Sequence, residues 1–269
     1  MGYEHLEIER DGHVATVWLN RPEKLNAMSR DIWEDIPAAM AEIESDESAR
    51  VVVLAGRGRA FSVGIDVALL ATLQPGSGSP AESNQELYRT IKRLQLTASS
   101  LADSPKPVIA AIHGFCLGGG MGLATACDIL LASADSVFSV RETRMGLVAD
   151  TGILQRLPAM IGPGHTAELA YTGKDIDAVR AREIGLVTDV FPDPVTTLEA
   201  ARRLAAEIAE SSPLVVSGIK RVLAANRGRT VEEGLDFVAR WNSAYLISND
   251  LTEAITAFFE KRKPDFTGT

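Results

Sequence analysis

A short apolar run at 108–112 is followed at once by five glycines within nine residues (114, 118, 119, 120 and 122) and then by a segment rich in Leu and Ala. Glycine at this density weakens the interior of a strand or a helix alike. The chain must therefore turn sharply there, or another group must lie against bare main chain. A strand that feeds a glycine turn opening a helix leaves backbone N–H groups pointing outward, with the helix dipole behind them. Such a place suits a phosphate, a carboxylate or an oxyanion. The same run also fits a close helix–strand packing turn without chemistry.

The pattern occurs twice. Val51-Val52-Val53-Leu54-Ala55 reads as a strand buried on both faces, and residues 56–66 form another glycine turn that opens a helical segment. Ahead of it, strands at 6–10 and 14–19 flank Asp11-Gly12, a hairpin signal. Ser29 caps a helix carrying Ile32, Trp33, Ile36, Met40 and Ile43, in which Pro37 predicts a kink or a break. Residues 75–80, Pro-Gly-Ser-Gly-Ser-Pro, read as an exposed loop. A long helix follows over 82–101, then a strand at 137–140, a helix over 151–160 and a strand at 187–191. This alternation is that of an α/β fold. Beyond Pro194 the character turns helical: capping boxes at Thr196-Thr197-Leu198-Glu199 and Thr230-Val231-Glu232-Glu233, with Pro213 in a first turn, predict three or four helices over 196–263. Trp241, Tyr245, Leu246, Phe258 and Phe259 make this tail apolar enough to need a packing partner, its own core or a neighbouring subunit.

The formal charge of −9 over 269 residues argues against general binding to nucleic acid or anionic membranes. Two cysteines, Cys116 and Cys127, and four histidines make no metal-ligand spacing, and both cysteines sit in apolar sequence as small hydrophobes. A reducing compartment fits. With no apolar leader at the N-terminus and no run of membrane-spanning length, the expectation is a cytoplasmic protein.

The focal glycines do not spell Gly-x-Gly-x-x-Gly, since the third position falls on Leu123 or Thr125. No Gly-x-x-x-x-Gly-Lys-Ser/Thr loop and no Gly-x-Ser-x-Gly elbow exists either. What remains is two glycine turns, at Gly64-Ile65 and Gly118-Gly119-Gly120, and two N–H donors converging on one oxygen would make an oxyanion hole. With Asn20-Arg21-Pro22…Asn26-Ala27-Met28, Ala60-Phe61-Ser62-Val63-Gly64-Ile65-Asp66 and the closing 259–266 segment, Phe-Glu-Lys-Arg-Lys-Pro-Asp-Phe, the chain resembles the crotonase (enoyl-CoA hydratase/isomerase) superfamily along almost its whole length. The run 146–158, Gly-Leu-Val-Ala-Asp-Thr-Gly-Ile-Leu-Gln-Arg-Leu-Pro, resembles the dienoyl-CoA isomerase branch.

That resemblance implies a spiral of strand–strand–helix units at 1–195 with an acyl-CoA site, and a helical trimerisation region at 196–269. It implies a homotrimer or a dimer of trimers. The Ile65 and Gly119 N–H groups would form the oxyanion hole, with Glu142 and Asp150 as the proton-transfer carboxylates. Lys24, Leu25, Ala27, Gly64, Asp66, Gly118 and Lys261 would line the CoA path. Coenzyme A would be part of the substrate, with no separate cofactor and no metal. Family hydratases and dienoyl isomerases carry a carboxylate where this chain has Gly122, so the proton work falls to Glu142 and Asp150. Asp150 also fits a helix N-cap, and Glu142 also fits a surface residue paired with Arg141 or Arg144. Three functions follow: double-bond isomerisation of an unsaturated acyl-CoA, hydration of an enoyl-CoA, or acyl-CoA binding with little turnover.

Overall fold

A computed structural model describes residues 2–71 and 79–269. The 75–80 interruption lies outside the described residues as far as Gly78; Ser79 then caps the next helix through a reciprocal box with Glu82. Strands β1 (Leu6–Asp11) and β2 (Val14–Leu19) form the antiparallel hairpin that Asp11-Gly12 announces. Helix α1 (Arg30–Ser45) starts at Ser29 and runs unbroken through Pro37. The ring removes the amide that would bond to the Trp33 carbonyl. That carbonyl instead accepts from the buried hydroxyl of Thr97 at 2.7 Å, on helix α3 (Pro80–Asp103), so the expected break is repaired by a neighbour.

Strand β3 (Val51–Gly56) leads through the second glycine turn to α2 (Val67–Ala71) and α3. Strands β4 (Val108–Ile112) and β5 (Phe115–Leu117) precede helix α4 (Gly119–Ala124). Strands β6 (Ile129–Ser133) and β7 (Val137–Ser139) precede helix α5 (Ile153–Thr172), whose axis kinks at Gly162. The first strand of each later pair joins a six-stranded sheet and the second joins a three-stranded one. Residues 51–71 keep the same rhythm, with a parallel bridge between Ser62 and Cys116 in place of a full second strand. The result is the strand–strand–helix spiral that the resemblance implied.

The chain closes through β8 (Ile176–Asp177), α6 (Ala178–Glu183) and β9 (Asp189–Phe191). The large sheet then runs β1-β2-β3-β4-β6-β9, parallel except at the hairpin, and the small one β5-β7-β8. One face of the large sheet packs against α1, α3, α4 and α5 around Phe61, Met121 and Phe138. The other is covered by helix α7 (Pro194–Ala209), whose Ala200, Ala201, Ala205 and Ala209 lie on Val51, Val53 and Ile109.

The Thr196–Glu199 box is corrected: α7 is capped three residues earlier, by Asp193, whose carboxylate accepts from Thr196 N at 2.8 Å. Pro194 occupies the first turn without losing a needed donor, which moves the start. Helices α8 (Pro213–Ala225), α9 (Val231–Tyr245) and α10 (Asn249–Glu260) complete the chain. No helix among the described residues is long and apolar enough to cross a membrane. Both cysteines are buried free thiols, as expected.

A buried cation ties the tail to the spiral. Lys220 on α8 pairs with Asp128 at 2.8 Å and donates to the Leu101 and Lys106 carbonyls at 3.2 and 3.0 Å. Asp128 in turn accepts from Val108 N, at the start of β4. Lys220→Met should therefore lower the unfolding free energy by about 2–3 kcal/mol, short of the full cost of orphaning a buried charge because Asp128 is partly exposed. Urea denaturation of the variant beside the parent checks this.

Candidate active site

The two glycine turns meet face to face. Ser62 N donates to Phe115 O at 2.9 Å and Leu117 N donates to Ser62 O at 3.0 Å, drawing the 62–65 backbone alongside 115–119. The contact admits no side chain. A Cβ on Gly120 would stand 2.6 Å from Ser62 O, and one on Gly64 would stand 2.8 Å from Gly119 N. Gly64 also has φ +88°, which any other residue adopts only under strain. These contacts explain the glycine density that sequence alone left open between packing and chemistry: packing requires glycine at 64 and 120, and the packing creates the site.

Within it, the Ile65 and Gly119 main chains lie side by side, a Cβ position on Gly119 falling 3.4 Å from Ile65 N. Gly119 is the first residue of α4, so its N–H has no helical acceptor. Among the described residues the Ile65 N–H has no acceptor either: its neighbours take the bonds to Met28, with Met28 N donating to Gly64 O and Asp66 N donating to Met28 O. Two adjacent donors without partners are what a developing oxyanion needs.

The early loop buttresses this arrangement. Asn26 is fully buried, with φ +55°; its amide donates to Arg57 O and Ala60 O at 2.9 and 2.8 Å and its carbonyl accepts from Arg21 N. Ser62 Oγ donates to Asn26 O at 2.8 Å and accepts from Gly64 N at 3.1 Å. Arg21 donates to Asp66 at 2.6 Å and to Ala27 O at 3.1 Å. That contact, with the Ala68 N–H, holds the Asp66 carboxyl below its ordinary range. Asp66 thus works as an anchor and as the cap of α2 through Ala68 N. Leu25 is half-buried and Ala27 buried beside the turn. Lys24 is exposed and joins no ion pair among the described residues, whereas Lys261, also exposed, closes α10 and has no hydrogen bond or ion pair to the early loop. Its neighbours Arg262 and Lys263 are taken by Glu253, Glu260 and Glu210.

Glu142 sits on a 3₁₀ turn, Arg141–Met145, and is buried, with Oε1 3.5 Å from the Cβ position of Gly118. The surface-pair alternative fails: Arg141 turns away to Asp175 at 2.5 Å and Arg144 lies against the Thr172 carbonyl. Burial, chiefly, and the nearby charge of Asp150 push the Glu142 carboxyl up; its own backbone opposes the shift. Asp150 is half-buried and burial pushes it up as well. It is not a helix cap, because α5 starts at Ile153 behind Gly152. Its backbone is pinned from outside, Gln95 on α3 donating to Asp150 O at 2.9 Å and Arg156 to Thr151 O at 3.1 Å. Sequence reading missed Gln95, Arg156 and Ser62 in these roles, since each acts on a main-chain carbonyl, far away in sequence for Gln95 and Ser62 and five residues back for Arg156.

Two glycine turns thus present paired backbone N–H groups, with the buried Glu142 packed against Gly118. The chain belongs to the enoyl-CoA hydratase/isomerase family, whose model matches residues 9–269. It is 42% identical to a mitochondrial Δ(3,5)-Δ(2,4)-dienoyl-CoA isomerase of Dictyostelium discoideum, over 98% of this chain and 92% of that one. It is equally 42% identical to a peroxisomal Δ(3,5)-Δ(2,4)-dienoyl-CoA isomerase of Arabidopsis thaliana, over 98% and 97%. A crystal structure of an enoyl-CoA hydratase from Bacillus anthracis superposes with a TM-score of 0.90 at 30% identity, covering 99% of this chain and all of that one. The cytoplasmic expectation is corrected by these relatives, which are named mitochondrial and peroxisomal. Free buried thiols and an acidic charge suit any reducing compartment, so they carried no address.

The backbone contact yields a test that needs no substrate. Gly120→Ala should cost about 1–3 kcal/mol, because its methyl group meets a main-chain carbonyl that has no rotamer to yield. Thermal and chemical unfolding of the variant measure it.

Proposed function

We propose that this protein moves the double bonds of an unsaturated acyl-CoA, converting a 3,5-dienoyl thioester to its 2,4 isomer, with Glu142 and Asp150 passing the protons. The paired unpartnered donors at Ile65 and Gly119 carry the reading. They bind the thioester oxygen, and they bind it more tightly as negative charge develops there, so their effect falls on the transition state. Glu142 lies against Gly118, next to the donor Gly119. It is therefore the carboxylate for the α-carbon. Asp150 precedes Thr151, whose hydroxyl sits against Gly122 one turn further along α4, so it serves the distal end of the conjugated chain.

The balance is closed. Glu142 accepts a proton from C2, the electron pair spreads through the diene onto the thioester oxygen, and protonated Asp150 delivers a proton to C6 as the electrons return. Double bonds at 3 and 5 become double bonds at 2 and 4. One proton leaves and one enters, and the carboxylates re-equilibrate between turnovers. No oxidant and no resident cofactor takes part; coenzyme A arrives as part of the substrate. Leu25, Ala27, Gly64, Asp66 and Gly118 form the CoA path, with Lys24 and Lys261 for its phosphates. Identity of 42% to dienoyl-CoA isomerases against 30% to the hydratase structure supports isomerisation over hydration.

The pair works with one proton shared between its members, which predicts a bell-shaped kcat/KM profile. Burial favours the neutral form of both carboxyls, so the acid limb should lie above the ordinary carboxylate range: activity falls as pH drops and Glu142 stays protonated, and falls again at high pH once Asp150 has lost its proton. Diene absorbance with a 3,5-dienoyl-CoA follows the reaction. Glu142→Gln and Asp150→Asn should each lower kcat by roughly 10²–10⁴; either variant retaining full turnover would sink its assigned role.

We also propose that residues 196–269 serve oligomerisation, chiefly through α8–α10, since α7 is tied to the central sheet. Ile247 is 97% exposed and Phe258 and Phe259 each 77%, more apolar surface than a lone chain leaves in water without a partner. Sedimentation at micromolar concentration should give a trimer or a dimer of trimers; a monomer would contradict this.

A further inference from the structure

Two oxygens at the site are buried yet have no partner among the described residues: Glu142 Oε2 and Thr151 Oγ1. Their residues are 9% and 7% exposed. A buried polar atom left unpaired costs about 1–3 kcal/mol. The two are complementary, a carboxylate oxygen that accepts and a hydroxyl that donates.

Both side chains lie against segment 118–122. Glu142 Oε1 lies 3.5 Å from the Cβ position of Gly118, and Thr151 Oγ1 lies 2.5 Å from that of Gly122. The two glycines are one turn apart, Gly122 N donating to Gly118 O at 3.0 Å. Two hydrogen bonds in series through a water oxygen span roughly 5.5 Å. The glycine at 122 is what admits the hydroxyl, since any side chain there would collide with it. Thr151 is held in place by its main chain, through Arg156 on its carbonyl and Gln95 on the carbonyl before it.

We propose that Thr151 is a positioning residue for Glu142: its hydroxyl donates through one bridging water to Glu142 Oε2, holding that carboxylate ionised and aimed at the substrate's α-carbon. The charged groups around Glu142 do not perform this task. Asp150 repels its charge, and Arg141, on the same turn, gives Nη2 to Asp175, while its buried Nε donates neither to Glu142 nor to any other described residue. Thr151 is thus the donor on the side where the chain bears no side chain at 122. The proposal rests on the reading of Glu142 as the α-carbon base.

The test compares pH profiles for the parent, Thr151→Val and Thr151→Ser with a 3,5-dienoyl-CoA. Valine keeps the shape and removes the donor. The acid limb of kcat/KM should then move up by about one pH unit, with KM little changed. Serine keeps the donor and should restore the parent profile. An unmoved limb in the valine variant, or a serine limb displaced as far as valine's, overturns the proposal. Should valine unfold the chain, Thr151→Ala removes the same donor without adding bulk and is read by the same criteria. Glu142→Gln separates the two levels. If that variant stays active, the base assignment fails and the proposal with it; if it is inactive while the Thr151→Val limb is unmoved, only the role of Thr151 is lost.

Discussion

Everything at the site depends on two stretches of main chain that touch without side chains between them. The 62–65 turn and the 115–120 turn exchange hydrogen bonds through Ser62, Phe115 and Leu117, and glycine at 64 and 120 allows an approach that a methyl group would prevent. A pair of N–H donors built this way is rigid because it is part of the packing. The donors are backbone groups whose directions are set by the contact between the two turns and by a helix start, so in the proposed oxyanion hole no rotamer has to be frozen when charge develops.

Around this contact, second-layer groups act through carbonyls. Asn26 holds three backbone partners at once, Thr97 replaces the bond that Pro37 removes, and Gln95 and Arg156 fasten the loop that carries Asp150. Each leaves the reacting groups free while fixing the main chain behind them. The two carboxyl groups are withdrawn from solvent, Glu142 above all, and this burial favours their neutral forms.

Much of the fold was legible from local patterns. The Asp11-Gly12 hairpin, the Ser29 cap, the buried run at 51–55 and the Thr230 box each express short-range chemistry that one segment settles alone. Strands β5, β6 and β8 and helix α6 escaped notice: three of the four are two or three residues or a single turn and a half long, held by neighbours rather than by propensity. The start of α7 was misplaced because Asp193-Pro194 and the threonines behind it offer competing caps, and the packing of its alanine face on the sheet accompanies the earlier start.

By itself the sequence determined which backbone could come bare to the site, because glycine spacing is a covalent fact; it named Glu142 through the crotonase resemblance and Asp150 through its place in a run resembling the dienoyl-CoA isomerases. It could not say whether Glu142 was a surface partner of Arg141, whether Asp150 was a cap, or what faced Gly122. Those answers depend on contacts between residues far apart in sequence, such as Arg141 with Asp175 and Thr151 with Gly122. Only the tertiary structure decided them, since burial and electrostatic environment belong to the packed chain and not to any segment of it.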